Sequence, residues 1–110
     1  MQSRAPQEPW ELDILEMSGS ELSKYVLVDI REQSDDLNIL KSLLRREVVS
    51  IPVGELSVNN PPLDKTNKYL LICQRGQTSA KLVGFLRGRG FDNVYFLLGG
   101  VEAVRRKFIA

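Results

Sequence analysis

The sequence predicts an α/β fold, in which a small parallel sheet carries helices on both faces. Short apolar runs rich in β-branched residues alternate with segments of helical spacing, and the connections between them are short. The apolar runs are continuous, without polar alternation, which is typical of strands buried on both faces. With 110 residues, 43% hydrophobic and 26% charged, the chain is long enough for one domain around one core.

Residues 1–20 are predicted to be a tail or linker followed by a lead-in segment, and residues 21–110 to form the domain. The first ten residues are polar and contain two prolines, which favour an extended tail over a packed element. From Glu11 onward the apolar spacing, followed by Ser18 and Ser20 as helix caps, predicts a short helical segment.

The first half of the domain is predicted to hold two strands and two helical segments. Residues 25–30 form an apolar run that predicts a buried strand. The charged stretch 31–46 spaces its leucines as on one face of a short helix. A second strand at 48–51 stops at Pro52, which cannot donate to a ladder, and a helical turn is predicted at 53–56.

The second half repeats this alternation with clearer boundaries. A buried strand is predicted at 69–72, a turn at 73–76 and a helix at 77–87, which glycines end. The next strand is predicted at 93–97, and after a glycine-containing turn the last helix covers 101–108.

Three features of chemical interest follow or end predicted strands: Asp29, Cys73 and the turn at 98–100. Strands of a parallel sheet, joined by right-handed crossovers, have their carboxyl ends at the same edge. Ligands bind outside that edge in open α/β sheets. The sequence therefore predicts a functional site around Cys73.

The counts of cysteine and histidine exclude several kinds of site. Cys73 is the single cysteine, so an internal disulfide is excluded, and the chain has no histidine. Without histidine there is no ligand set for structural zinc or haem, and no Ser-His or Cys-His catalytic pair. A nucleophile in this chain must be activated by backbone dipoles or by cationic side chains.

The charge balance and the hydropathy pattern restrict partners and location. Fifteen Lys and Arg against fourteen Asp and Glu give a net charge of +1, which favours neither nucleic acid nor an anionic membrane as partner. No apolar run approaches the roughly 18 residues of a membrane span. The N-terminus lacks the apolar core of a secretory signal, so we expect a cytoplasmic protein.

Cys73 lies where a buried strand passes through a short loop into a helix. This arrangement points backbone N–H groups and the positive end of a helix dipole at the sulfur, which stabilises the reactive thiolate. Arg75 adds a positive charge, and Gly76 permits a loop conformation that turns the amides inward. A cysteine that ends an apolar strand is most often packing, but the polar loop around this one favours a reactive thiol.

The loop sequence at 73–78, CQRGQT, resembles the six-residue active-site loop of rhodanese-like sulfurtransferases. Other landmarks look similar to those of the family: the aspartate-x-arginine motif at 28–32, the second-strand ending at 50–52 and the closing glycine motif at 98–103. The resemblance covers about residues 22–108. It is strongest to rhodanese domains appended to enzymes that adenylate ubiquitin-like sulfur carriers.

The resemblance implies a sulfurtransferase that carries sulfur as a persulfide on the catalytic Cys73. The donor is a small molecule such as thiosulfate, or a protein persulfide, and the acceptor is a nucleophile such as a sulfur-carrier protein. Arg75 is expected to attract an anionic donor, and Thr78 and Ser79 to give it hydroxyl hydrogen bonds. No metal or organic cofactor is expected. The substrate-binding loop predicted in this way consists of Gln74, Arg75, Gly76, Gln77, Thr78 and Ser79.

The resemblance also implies that Asp29 and Arg31 pair as a structural element near the site. Two departures from the family pattern concern other positions. The usual Gly-His-Ile-Pro-Gly-Ala segment is replaced by residues 45–52, and the customary tryptophan after the closing glycines by Val104. These changes affect partner recognition and packing more than the sulfur chemistry.

Two alternatives remain open at this stage. A cysteine phosphatase or arsenate reductase needs an arginine six positions after the cysteine to clamp a tetrahedral oxyanion, but that position is Ser79. A non-catalytic interaction module would use the basic run 105–107 as a docking patch, although such runs at helix ends are usually solvated.

Overall fold

The computed structural model describes residues 10–32 and 37–109, and within them five strands form one parallel sheet in the order β1-β5-β4-β2-β3. The strands are β1 (Glu11–Leu12), β2 (Val26–Asp29), β3 (Val48–Ser50), β4 (Tyr69–Ile72) and β5 (Val94–Leu97). The helices are α1 (Gly19–Leu22), α2 (Leu37–Leu44), α3 (Val53–Leu56), α4 (Gln77–Gly88) and α5 (Gly100–Ile109).

The central strand β4 is buried on both faces, and its side chains divide the core into two halves. Leu70 and Ile72 belong to one apolar cluster, to which α1, α2 and α5 contribute. Tyr69 and Leu71 belong to the other cluster, to which α3 and α4 contribute. Because successive side chains of a strand point to opposite faces, this division confirms the prediction of a parallel sheet with helices on both faces.

Helix α2 confirms the leucine face predicted from the 31–46 stretch. Leu40 and Leu44 are buried, and Leu43 packs against the same cluster. Residues 33–36 of that stretch lie outside the described residues. None of the helices in the described ranges is both long and apolar enough to cross a membrane.

The lead-in segment differs from the helical prediction because its first residues join the sheet. The N–H groups of Phe96 and Leu98 donate to the carbonyls of Trp10 and Leu12 at 3.0 and 2.8 Å, which makes Glu11–Leu12 an edge strand beside β5. The helical spacing is realised later, in a short 3-10 turn and in α1. Residues 1–9, most of the predicted tail, lie outside the described residues.

The cap predicted for α1 is confirmed at Ser18. Its hydroxyl accepts from the N–H of Glu21 at 3.1 Å, and the Glu21 carboxylate accepts from the N–H of Ser18 at 2.9 Å. Such a reciprocal pair satisfies two donors at the helix start. Between β1 and α1, Ile14 is 2% exposed, so the lead-in segment contributes to the core.

The carboxyl ends of β2, β4 and β5 meet at one edge of the sheet. Their register pairs Asp29 with Ile72 and Leu71 with Phe96, so the residues that follow each strand are neighbours in space. This edge therefore holds Cys73 and the glycine turn together, as the sequence predicts.

Candidate active site

Cys73 follows β4 directly and lies in a recess at the carboxyl edge of the sheet, where it is 5% exposed. The N–H groups of Gly76 and Ser79 donate to its Sγ at 3.1 and 3.3 Å. Both donors belong to the loop and first turn of α4, the positive end of that helix dipole. Two fixed amide donors and the dipole favour negative charge on the sulfur.

Position 76 requires a glycine, both because of its backbone conformation and because neighbouring atoms leave no room for a Cβ. Its φ is +92°, in the left-handed region that favours glycine. A Cβ at this position would lie 2.9 Å from the nitrogen of Gly99 and 3.1 Å from the carbonyl oxygen of Leu97. The loop thus turns its amide toward Cys73 while it packs against the turn after β5.

The start of α5 fastens the loop from the other side. The N–H of Val101 donates to the carbonyl of Cys73 at 2.9 Å, and the N–H of Glu102 donates to that of Gln74 at 3.1 Å. A Cβ at Gly100 would collide with the Cys73 carbonyl oxygen, so a glycine lets the two backbones approach. The closing glycine motif therefore supports the cysteine loop through its backbone.

The Ser79 side chain lies beside the sulfur of Cys73. It is fully buried, and its Oγ lies 3.2 Å from Cys73 Sγ and 3.3 Å from the carbonyl oxygen of Gly76. With a thiol, the S–H donates to Ser79 and the serine hydroxyl donates to Gly76. With a thiolate, rotation of the same hydroxyl gives the sulfur a third hydrogen-bond donor, besides the amides of Gly76 and Ser79.

We expect Ser79→Ala to slow the loading of sulfur onto Cys73 by about tenfold, because a hydrogen bond to a charged group contributes about 1.5 kcal/mol or more. The rate of thiosulfate:cyanide transfer measures this effect. Ser23→Ala is the matched control, since its hydroxyl donates to the Ser20 carbonyl at 2.6 Å, next to the amino end of β2. Equal rates for the two variants would contradict a role for the Ser79 hydroxyl.

Asp29 and Arg31 form the pair that the resemblance implies. The buried Asp29 carboxylate accepts from the backbone N–H and Nε of Arg31, both at 3.0 Å, and from its terminal nitrogen at 2.8 Å. The other terminal nitrogen of Arg31 donates to Gln74 Oε1 at 3.1 Å. The pair thereby connects the end of β2 to the residue that follows Cys73.

A pocket of about 140 Å³ opens above the sulfur. Most of the residues predicted for the site line it; these are Cys73, Gln74, Arg75, Gln77 and Thr78. Arg75 is not a free cation, because its Nε donates to Glu102 Oε2 at 3.2 Å.

A cavity of about 640 Å³ lies elsewhere, between α1, the end of α2 and the end of α5, and no residue of the cysteine loop lines it.

Sequence reasoning missed the side chain of Glu102 as part of this site. The residue stands inside the closing glycine motif, 27 positions from Arg75, and nothing local joins the two. An acidic residue in the first turn of a helix is ordinarily explained by the helix dipole. The one available signal was the prediction that the cysteine loop and the glycine turn share an edge.

Together these features define a class of site, a recessed cysteine that accepts two backbone amide hydrogen bonds at a strand-to-helix junction of a parallel sheet. The family model described as "Rhodanese-like domain" matches residues 13–107. The chain therefore belongs to the rhodanese-like domain family.

A curated relative gives the chemistry at the level of the family. The tRNA sulfurtransferase of Proteus mirabilis is 34% identical over 80 residues, which are 73% of this chain and 17% of that protein. The chain thus spans less than a fifth of the length of this relative. Family membership and relatives of this name support sulfur transfer as the chemistry of the domain.

Solved structures agree on the fold. A rhodanese-related protein from Thermoplasma volcanium has a TM-score of 0.66 and 23% identity, covering 88% of this chain and 91% of its own. A rhodanese homologue from Thermus thermophilus has a TM-score of 0.65 and 20% identity, and the match covers 84% of this chain and 98% of the homologue. At these identities the likeness shows the fold alone.

Proposed function

We propose that the domain moves sulfane sulfur from a donor to a nucleophilic acceptor through a persulfide on Cys73. The observation that carries this proposal is the pair of amides, from Gly76 and Ser79, that donate to Cys73 Sγ in a recess at the start of α4. These donors stabilise a thiolate before the reaction. They also lie beside the sulfur chain once a second sulfur is attached.

The reaction takes two balanced steps. The Cys73 thiolate attacks the outer sulfur of thiosulfate, the S–S bond of the donor breaks, and sulfite leaves with the bonding electron pair. The new terminal sulfur carries the negative charge as Cys73–S–S⁻. A nucleophile such as cyanide then attacks that terminal sulfur, and the Cys73 thiolate leaves with the electron pair. No external oxidant, reductant or proton is needed.

We expect the acceptor to come from outside these 110 residues. With one cysteine, the persulfide has no second thiol to resolve it as an internal disulfide. We propose a protein persulfide or thiosulfate as donor and a sulfur-carrier protein as acceptor, in the cytoplasm and without a resident cofactor. The tRNA sulfurtransferases to which the chain is similar support a role as one sulfur-handling unit of a larger system.

The deciding experiment compares sulfur with phosphate as the group that Cys73 carries. The protein is incubated with thiosulfate and, separately, with an aryl phosphate, and the Cys73 peptide is then weighed under non-reducing conditions. We expect a peptide heavier by one sulfur atom after thiosulfate, reversed by cyanide with release of thiocyanate. We expect no phosphate release, because Ser79 lacks the two-pronged grip of arginine.

Two other outcomes would overturn the proposal. Phosphate release that depends on Cys73, without cyanide-labile sulfur, would favour the phosphatase alternative. A Cys73 peptide of unchanged mass after both thiosulfate and a protein persulfide would favour the non-catalytic interaction module.

A further inference from the structure

We infer that Glu102 sets donor selectivity by cancelling the charge of Arg75, so that the site favours a singly charged sulfur donor over the thiosulfate dianion. This inference rests on the proposed function. It names a substrate class, persulfides with one negative charge near the transferred sulfur, and a residue that selects it.

Arg75 and Glu102 form an ion pair beside the pocket above Cys73. Arg75 is the charged side chain among the described residues that line the pocket above Cys73. Its Nε–H points to Glu102 Oε2 at 3.2 Å. The backbone N–H of Glu102 donates to the Gln74 carbonyl at 3.1 Å, so the main chain of Glu102 is fixed beside the residue that precedes Arg75. The first turn of α5 also favours a negative charge.

Opposite charges lie side by side at the mouth of the pocket. Arg75 contributes one positive charge and Glu102 one negative charge beside it. Arg31, the cation that contacts Gln74, is neutralised by Asp29 at 2.8 Å. The mouth therefore gives little net attraction to a doubly charged anion.

The charge of the donor determines how strongly the charges at the mouth of the pocket act on it. The Coulomb energy between the mouth and a donor scales with donor charge, so a fixed carboxylate disfavours a dianion twice as strongly as a monoanion. The side chains of Arg75 and Glu102 are 72% and 41% exposed. Solvent therefore weakens the interaction, and added salt screens it further.

Two small donors that differ by one charge isolate this effect. Thiosulfate transfers its outer sulfur and releases sulfite. Methanethiosulfonate, in which a methyl group replaces one charged oxygen, transfers its terminal sulfur and releases methanesulfinate with the bonding electron pair. Both donors leave the same persulfide on Cys73, so the later step with cyanide is common to them.

We expect Glu102→Gln to raise kcat/KM for thiosulfate by about fivefold and that for methanethiosulfonate by about twofold at low ionic strength. The increase in kcat/KM comes from a lower KM, because the charge acts on the capture of the donor. The increase becomes smaller in 0.5 M salt, where the Debye length is about 4 Å. Arg75→Gln should shift the ratio of the two donors in the opposite direction. Glu47→Gln is the matched control, since it removes an exposed carboxylate paired with Lys41 at the amino end of β3.

The outcomes separate this inference from the proposed function. If neither donor loads cyanide-labile sulfur onto Cys73, the proposed function fails. If both donors load sulfur but Glu102→Gln leaves their ratio as in Glu47→Gln, the inference alone is overturned. The same holds if Arg75→Gln and Glu102→Gln shift the ratio in one direction.

Discussion

Replacing Cys73 by serine should abolish sulfur loading while the fold is retained. A hydroxyl of ordinary acidity does not ionise at neutral pH and attacks sulfane sulfur poorly, so no adduct and no thiocyanate above background are expected. Serine oxygen accepts hydrogen bonds from the amides of Gly76 and Ser79, as the sulfur does. The melting temperature should therefore change by less than about 5 °C.

Intact mass after thiosulfate, thiocyanate release and thermal unfolding measure this prediction in one preparation. Cys73→Ala serves as the companion variant, because it removes the acceptor at this position entirely. Sulfur uptake in either variant at the level of the unaltered protein would show that the sulfur is held elsewhere in the chain.

Replacing Gly76 by valine should lower sulfur transfer by about a hundredfold or more and should also destabilise the domain. A β-branched residue at φ +92° is strained, which costs about 1–3 kcal/mol. Its Cβ would approach the Gly99 nitrogen and the Leu97 carbonyl oxygen, and overpacking of this kind costs about 1–3 kcal/mol more. When the loop moves to relieve the strain or the overpacking, the Gly76 amide turns away from Cys73 Sγ.

The matched control is Gly84→Val, in the interior of the same helix, where a Cβ meets nothing within 4 Å. Activity and the free energy of unfolding are compared for both variants at a temperature where each is folded. We expect Gly84→Val to stay within about threefold of the unaltered activity. Full activity of Gly76→Val would contradict the account in which this amide stabilises the sulfur.

The strands could be predicted from sequence because burial on both faces leaves continuous apolar runs. Residues 69–72 illustrate this, since all four are buried in the middle of the sheet. The Asp29–Arg31 pair could be predicted for a different reason. Its two residues stand two positions apart and belong to a recognisable motif. Edge strand β1 could not be predicted from sequence, since two residues carry no periodicity and its pairing depends on β5, far along the chain.

The candidate site could be predicted where it depends on local chain geometry. A cysteine between a buried strand and a helix sets the positions of Gly76 and Ser79 with respect to Cys73, and both amides point to the sulfur. The contact between the Ser79 hydroxyl and Cys73 Sγ depends on how α4 packs, so the loop sequence alone does not predict it. The contact between Arg75 and Glu102 requires the start of α5 to reach the loop, which only the assembled sheet determines.

The pairing of β1 with β5 has a consequence for how the domain can be divided. A fragment that began at residue 21 would lose Ile14 from the core and would leave the N–H groups of Phe96 and Leu98 without their acceptors. An uncovered strand edge is a template for pairing with another chain. Such a fragment should therefore self-associate through β5, beside the cysteine loop, whereas residues 10–12 cap that edge in the longer chain.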